Sequence, residues 1–219
     1  MSKNVLMVLT NTSEIDADHP TGLWLSEFAE PYVEFKKNDF NVTVVSPKGG
    51  GIPIDPNSLE DEQPEEWKKA QEKLEKTELL SSVVFEHFDG IFLPGGHGTM
   101  FDLPEEPHLQ DGLAHFAENN KVIGAVCHGP AGFVGVELSD GTPLVKGKKL
   151  TAFTNAEEKD TGLDELMPFL LQSKLEEEGA HFVAQGNWAN HVMIDGKFIT
   201  GQNPQSSQKT AEAFVAALG

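Results

Sequence analysis

Apolar residues arrive in two rhythms along this chain. Short unbroken runs at 5–10 (VLMVLT), 41–46 (NVTVVS), 88–94 (FDGIFLP) and 122–126 (VIGAV) are bounded by turn residues, and they predict strands buried in a sheet. Between them the spacing becomes helical. Leu25, Phe28, Ala29, Tyr32, Val33 and Phe35 make one apolar face from Thr21 onward, with Pro31 expected to kink or restart the helix. Leu109, Leu113 and Phe116 mark a second helix, and Ala131, Phe133, Val134 and Val136 a short third one. A further strand is expected at 149–154 (KLTAFT), then a helix holding Leu166, Phe169, Leu170 and Leu175. Phe182 and Val183 suggest one more strand, Asp195-Gly196 is a hairpin turn between the apolar runs of 192–200, and a helix over 206–218 closes the chain.

One stretch breaks the alternation. Residues 47–80 open with four prolines or glycines in five positions and continue as a charged amphipathic helix over 64–80, with Trp67, Leu74 and Leu79 expected to pack inward. This is too long for a plain connection, so a lid-like insertion is expected. The remainder predicts one α/β domain over 1–219, a doubly wound, mainly parallel sheet with helices on both faces. Strand ends carrying Thr10, the GGHG of 95–98 and Cys127 would then gather on one rim, where such folds bind ligands.

Composition narrows the partners. With 16 Lys plus Arg against 35 Asp plus Glu, the formal charge of −19 repels a phosphate backbone, so nucleic acid is not expected. No apolar run is long enough to cross a bilayer, which leaves no expectation of a membrane partner. The start, MSKNVLMVLT, enters a strand pattern without a basic leader or cleavage site, and a single Cys cannot form an internal disulfide; a cytoplasmic protein with a reduced thiol is expected. Asp16, Asp18 and His19 lie in a turn-rich polar loop that explains them without a metal.

The chemistry sits where the fourth buried strand stops. VIGAV runs directly into Cys127, His128, Gly129 and Pro130, a strand, sharp turn and helix pattern that lifts a nucleophile to the sheet edge. A lone cysteine by itself reads more simply as a small buried hydrophobe, so the case rests on its surroundings. Gly95 and Gly96, immediately after another strand, let the backbone turn its N–H groups toward a ligand. Trp24 and Trp188 could wall a pocket, although core packing explains each more economically.

FDGIFLPGGHG, VIGAVCHGP and an early GLWLSEFAEP together resemble the DJ-1/PfpI superfamily within the class I glutamine amidotransferase-like fold. The early Glu, the lid-sized insertion and the Cys-His pair followed by Gly-Pro resemble its Hsp31-like heat-shock chaperone and glyoxalase branch. The resemblance implies a flavodoxin-like sheet, Cys127 as nucleophile and Glu27 against its thiol. It also implies a partnership of His128 with an acid in NAEEKD; the spacing fits Glu157 or Glu158 within one residue, and Glu157 is preferred. Gly95, Gly96 and His128 would bind the substrate oxygen. A carboxylate beside a thiolate is like-charge repulsion, so one of Glu27 and Cys127 should keep a proton. The helix start after Cys127 is expected to help the thiol ionise.

Glutaminases of this fold carry a late His-x-Glu pair, whereas His191 here is followed by Val192 and Met193; glutamine hydrolysis is disfavoured and His191 is expected to be structural. The resemblance implies a cofactor-independent, glutathione-independent glyoxalase that acts on methylglyoxal and related 2-oxoaldehydes, and a homodimer. A holdase chaperone that captures unfolded protein clients without Cys127 and a cysteine peptidase or amidohydrolase are the competing expectations, with deglycation a secondary one.

Overall fold

The computed structural model describes residues 2–59, 62–104 and 106–219. Positions 60 and 61, within the expected lid-like insertion, lie outside the described residues. The chain runs β1 (Asn4–Val8), β2 (Glu14–Asp16), β3 (His19–Pro20), α1 (Leu25–Lys37), β4 (Asn41–Ser46), α2 (Lys68–Leu74), β5 (Glu78–Leu79) and β6 (Gly90–Leu93). It continues with α3 (Thr99–Asp102), α4 (Pro107–Glu118), β7 (Val122–Val126), β8 (Lys149–Leu150), α5 (Asn155–Thr161), α6 (Leu171–Glu177), β9 (His181–Phe182), β10 (Val192–Asp195), β11 (Phe198–Gly201) and α7 (Ser207–Leu218).

Seven strands form the central sheet in the order β10-β11-β7-β6-β1-β4-β5. Every neighbouring pair is parallel except the β10–β11 hairpin at one edge. The period of two along a strand divides its side chains between two cores. Leu6, Val8, Ile91, Leu93, Ile123 and Ala125 join one, with Leu109, Leu113 and Phe116 of α4. Val5, Met7, Phe92, Val122 and Val126 join the other, with Phe28 and Phe35 of α1 and Phe214 of α7. Both faces of the sheet are therefore covered, which is why its strands read as continuous apolar runs. The expected α/β architecture is the observed one.

Several local expectations change, among them the helix expected to hold Leu166, Phe169, Leu170 and Leu175, which begins only at Leu171 and keeps just the last of them. Pro31 neither restarts nor ends α1, which runs unbroken from Leu25 to Lys37. In 64–80 the helix is shorter than expected, α2 being preceded by a 3-10 turn and followed by β5, which adds an edge strand beside β4. Leu79 lies on that edge and is 48% exposed, whereas Leu74 is buried and Trp67 packs against the core. The strand expected at 149–154 is only Lys149–Leu150, paired with β9 outside the main sheet. Beyond it the backbone is claimed by the rim: the Thr151 N–H donates to the Thr200 hydroxyl and the Phe153 N–H to the Cys127 carbonyl.

Residues 53–55 also brace the rim. Leu23 donates its N–H to the Pro53 carbonyl, and Asp55 donates its N–H back to the Leu23 carbonyl, so 53–55 is stitched to the segment that leads into α1.

Candidate active site

Directly after β7 comes Cys127, whose φ of +59° places a non-glycine residue in the left-handed region. That conformation costs about 1–2 kcal/mol and persists only where neighbours fix it. Here the Cys127 N–H donates to the Gly201 carbonyl (3.0 Å) and its carbonyl accepts from Phe153 N–H (2.9 Å). The elbow is thus held from two adjoining segments, with the thiol at the carboxyl edge of the sheet. Thr99 ties in the loop after β6, its hydroxyl lying 2.8 Å from the Gly96 carbonyl and 3.0 Å from that of His128.

On one side of the thiol stands Glu27, fully buried in the first turn of α1. Its Oε2 accepts the Gly95 N–H at 2.7 Å. Its Oε1 is buried without a hydrogen-bond partner of ordinary geometry among the described residues, and the Cys127 thiol is close enough to couple to the carboxyl. Burial raises the Glu27 pKa to about 8, against the opposing pull of the thiol and the Gly95 N–H. The thiol is itself pushed well above its ordinary value, first by burial and then by the Glu27 charge, with the His128 N–H acting in the other direction. The expected help from a helix start is therefore outweighed, and the elbow leads into a 3-10 turn over Gly129–Phe133 rather than an α-helix. Glu27 and Cys127 form a coupled pair in which at most one negative charge is tolerated near neutral pH.

On the other side is His128. Its Nδ1 lies 3.3 Å from the Cys127 sulfur and its Nε2 lies 2.6 Å from Glu158 Oε2. Glu158, not Glu157, is the acid that reaches His128. The reason is helical: consecutive residues point about 100° apart, and Glu157 is already committed. Thr154 and Glu157 form a capping box at the start of α5, with Glu157 Oε2 accepting both the N–H and the hydroxyl of Thr154. Glu157 Oε1 accepts from the Trp188 N–H (2.8 Å), Gln202 Nε2 (3.0 Å) and Asn203 Nδ2 (2.8 Å). The pattern Thr154-x-x-Glu157 was visible in the sequence and marks the residue taken by the cap.

The residue that sequence reasoning missed is His97. Its Nε2 lies 2.6 Å from Glu158 Oε1, and its ring lies against that of His128, tilted by 42° with centroids 4.2 Å apart. One carboxylate therefore bridges two imidazoles. Burial works to raise Glu158, but His128 and His97 together hold it well below the usual carboxylate range. His128 is shifted below its ordinary value by burial and by neighbouring His97, although Glu158 pulls the other way. A neutral His128 that donates Nε2–H to Glu158 presents the lone pair of Nδ1 to the thiol, the tautomer a base needs.

One atom each of His97, His128 and Glu158 lies within 4.8 Å of the others, a two-histidine, one-carboxylate donor set. Both Nε2 atoms are hydrogen-bonded to the carboxylate, so an ion there would displace the protons that orient His128.

The glycine loop packs directly against the elbow. A Cβ on Gly95 would fall 2.6 Å from His128 N and from Glu27 Oε2, and one on Gly96, at φ +99°, would fall 2.2 Å from the Gly22 carbonyl. Neither position admits a side chain. The Gly95 N–H is committed to Glu27, which removes it from the expected oxygen-binding donors and makes it a positioner of the acid. The Gly96 N–H has no hydrogen-bond acceptor among the described residues.

Trp24 and Trp188 both line the cavity above the thiol, together with Gly96, His97, Phe153 and Thr161. Trp188, 39% exposed, takes φ +62° and meets the Phe153 ring edge-on at 5.6 Å; it is a wall, not core, contrary to expectation. The cavity holds about 100 Å³. His191 lies apart from this group, with Nε2 on the Val183 carbonyl at 3.0 Å.

An elbow cysteine facing a buried acid across a glycine loop is the arrangement the sequence resemblance implied, and the family itself is shown by comparison. Residues 21–217 match the model of the DJ-1/PfpI family. The chain belongs to this family. It is 33% identical to glyoxalase 3 of Candida albicans, over 98% of both chains. It is 36% identical to the glutathione-independent glyoxalase hsp3102 of Schizosaccharomyces pombe, over 90% of this chain and 89% of that protein. The crystal structure of glyoxalase III from Candida albicans superposes with a TM-score of 0.90 at 32% identity, covering 98% of this chain and 97% of that one.

Proposed function

We propose that this protein is a glutathione-independent glyoxalase that converts methylglyoxal and water to lactate. The observation that carries the reading is Cys127 held between a buried neutral acid, Glu27, and a histidine base, His128, in a cavity of about 100 Å³. Relatives bearing that activity in their names, similar over nearly the whole chain, support it.

The reaction follows from the groups present. His128 Nδ1 takes the thiol proton as sulfur attacks the aldehyde carbon; a C–S bond forms, the carbonyl π bond breaks, and the new oxyanion collects a proton to give a hemithioacetal. The N–H groups of Gly96 and His128 are the donors assigned to that oxygen, where fixed dipoles lower the barrier by about 3–4 kcal/mol per donor. The proton the oxyanion collects comes from Glu27, whose carboxylate then removes the hydrogen from the former aldehyde carbon. The adjacent carbonyl oxygen takes the proton held by His128 to give an enediol. Glu27 delivers the hydrogen to the adjacent carbon, while the proton on the first oxygen leaves through His128 to Glu27. The former aldehyde carbon is now a thioester and its neighbour a secondary alcohol, an internal oxidation and reduction that needs no external electron carrier. Water, deprotonated by His128, cleaves the C–S bond, and lactate leaves with the thiol restored.

The space directly over the thiol, walled by Trp24, Phe153 and Trp188, suits an aldehyde head better than a peptide that must extend on both sides of a scissile bond. Purified protein given methylglyoxal without glutathione is expected to yield lactate, and Cys127→Ala to reduce the yield to background. Lactate formation at the wild-type rate by Cys127→Ala would overturn the reading.

A further inference from the structure

The cavity over Cys127 adjoins an outer cleft of about 510 Å³, and Trp24, His97 and Thr161 line both. The outer walls come from segments with no part in the reaction. Ile15, Asp18, His19 and Pro20 belong to the β2–β3 hairpin, Asp55 and Asn57 to the insertion, and Leu163 follows α5. The hairpin and the insertion are braced against each other, since the Thr21 hydroxyl donates to Asp55 Oδ2 at 2.9 Å and the Thr21 N–H to the Ser13 carbonyl at 2.9 Å. This is a formed cleft rather than a gap between loose loops.

We propose that the cleft is a subsite for the polyhydroxylated chain of sugar-derived 2-oxoaldehydes, whose aldehyde end reaches Cys127 while the tail lies beyond His97 and Thr161. The inference rests on the glyoxalase reading and names a longer substrate class for the same thiol.

The lining favours such a chain over the alternatives. Ile15, Trp24 and Leu163 offer apolar surface to C–H groups, while Asp18 and Asn57 offer acceptors and an amide to hydroxyls; the Thr21 and Thr161 hydroxyls already donate to Asp55 and to the Glu158 carbonyl and help fix the wall. Asp18 uses only its backbone N–H within the hairpin, on Asp16 Oδ1, so its exposed carboxylate keeps its acceptors. A phosphorylated or carboxylated tail meets Asp18 and Asp55 on a chain of formal charge −19. A wholly apolar tail would bury those polar groups without replacing their hydrogen bonds, an unfavourable exchange. Chemistry at the thiol is unchanged: substrate plus water gives the corresponding 2-hydroxy acid, with the aldehyde carbon oxidised and the adjacent carbonyl carbon reduced.

The test compares 3-deoxyglucosone, phenylglyoxal and methylglyoxal on the same preparation, with the 2-hydroxy acid products measured by chromatography. Wild-type protein is expected to consume 3-deoxyglucosone with a KM at or below that for methylglyoxal. Filling the cleft by Ile15→Trp, or from a different element by Leu163→Trp, is expected to lower the ratio of kcat/KM for 3-deoxyglucosone to that for methylglyoxal about tenfold, equivalent to about 1.4 kcal/mol of lost tail binding. Methylglyoxal turnover with no turnover of 3-deoxyglucosone would overturn the subsite and leave the parent reaction standing. An unchanged ratio in both variants, or a higher wild-type kcat/KM for phenylglyoxal that falls equally in them, would also overturn it, since the cleft would then read bulk rather than hydroxyls. Failure to consume any of the three compounds would remove the parent reaction and the subsite together.

Discussion

The two flanks of the Cys127 thiol use the same functional group in opposite states. Glu27 and Glu158 are both buried carboxyls within reach of the reacting atoms or their base. Glu27 meets one backbone N–H and a thiol, which do not offset its desolvation, so it keeps a proton up to about pH 8. Glu158 meets two imidazole N–H groups, and these hold it as a carboxylate. Burial alone does not set the charge of a carboxyl; its hydrogen-bond donors do. The consequence is a division of labour, with a proton reservoir on one side and a tautomer-fixing anion on the other.

Removing the anion should have the largest effect. In Glu158→Gln the amide can offer its N–H to His128, which favours the wrong tautomer for taking the thiol proton; kcat/KM for methylglyoxal is expected to fall about a thousandfold, within the range for loss of a positioned acid or base. Next comes Glu27→Gln, for which a fall of about a hundredfold is expected together with loss of an ionisation near 8 from the pH profile of kcat/KM. His97→Asn spares the His128–Glu158 bond and removes one of the two donors to the carboxylate; a fall of about tenfold or less is expected, along with a rise in the His128 pKa, because His97 contributes to its depression.

The smallest catalytic effect is expected at Glu157→Gln, with the main cost in stability. All five groups bonded to this carboxylate are donors, so an amide nitrogen must face at least two of them; chemical denaturation should show about 2–4 kcal/mol lost.

The same comparison fixes two opposite slopes of stability against pH. Glu27 has a folded pKa above its ordinary 4.5, so the folded state binds the extra proton between those values and stability falls as pH rises from about 4.5 to about 8. Glu158 has a folded pKa below 4.5, so its contribution is present above that pH and is lost as pH falls through the folded value. Denaturation midpoints from pH 5 to 9 should flatten in Glu27→Gln and stay sloped in Glu158→Gln.

Much of this was legible in the chain. Continuous apolar runs announced strands covered on both faces, and VIGAVCHGP announced the elbow because an apolar strand ends there on a nucleophile, a histidine and a glycine. Less was legible where one residue of register decides. Glu157 and Glu158 are equivalent to a spacing argument, and only the capping box separates them. His97 sat unread in GGHG because its role depends on a carboxylate 61 residues away. Leu79 kept helical spacing but ended on a sheet edge, since β5 pairs with β4 instead of extending α2. Trp188 was hidden for another reason: its position comes from a strained backbone held by Glu157, not from any periodic pattern.

The central claim is that one carboxyl at this site is neutral and the other charged. Difference infrared spectra of the wild-type protein against Glu27→Gln and Glu158→Gln at pH 6.5 test it most directly. The account predicts that Glu27→Gln removes a protonated-carboxyl band and that Glu158→Gln removes only carboxylate bands. A carboxylate loss in Glu27→Gln, or a protonated-carboxyl loss in Glu158→Gln, would contradict it.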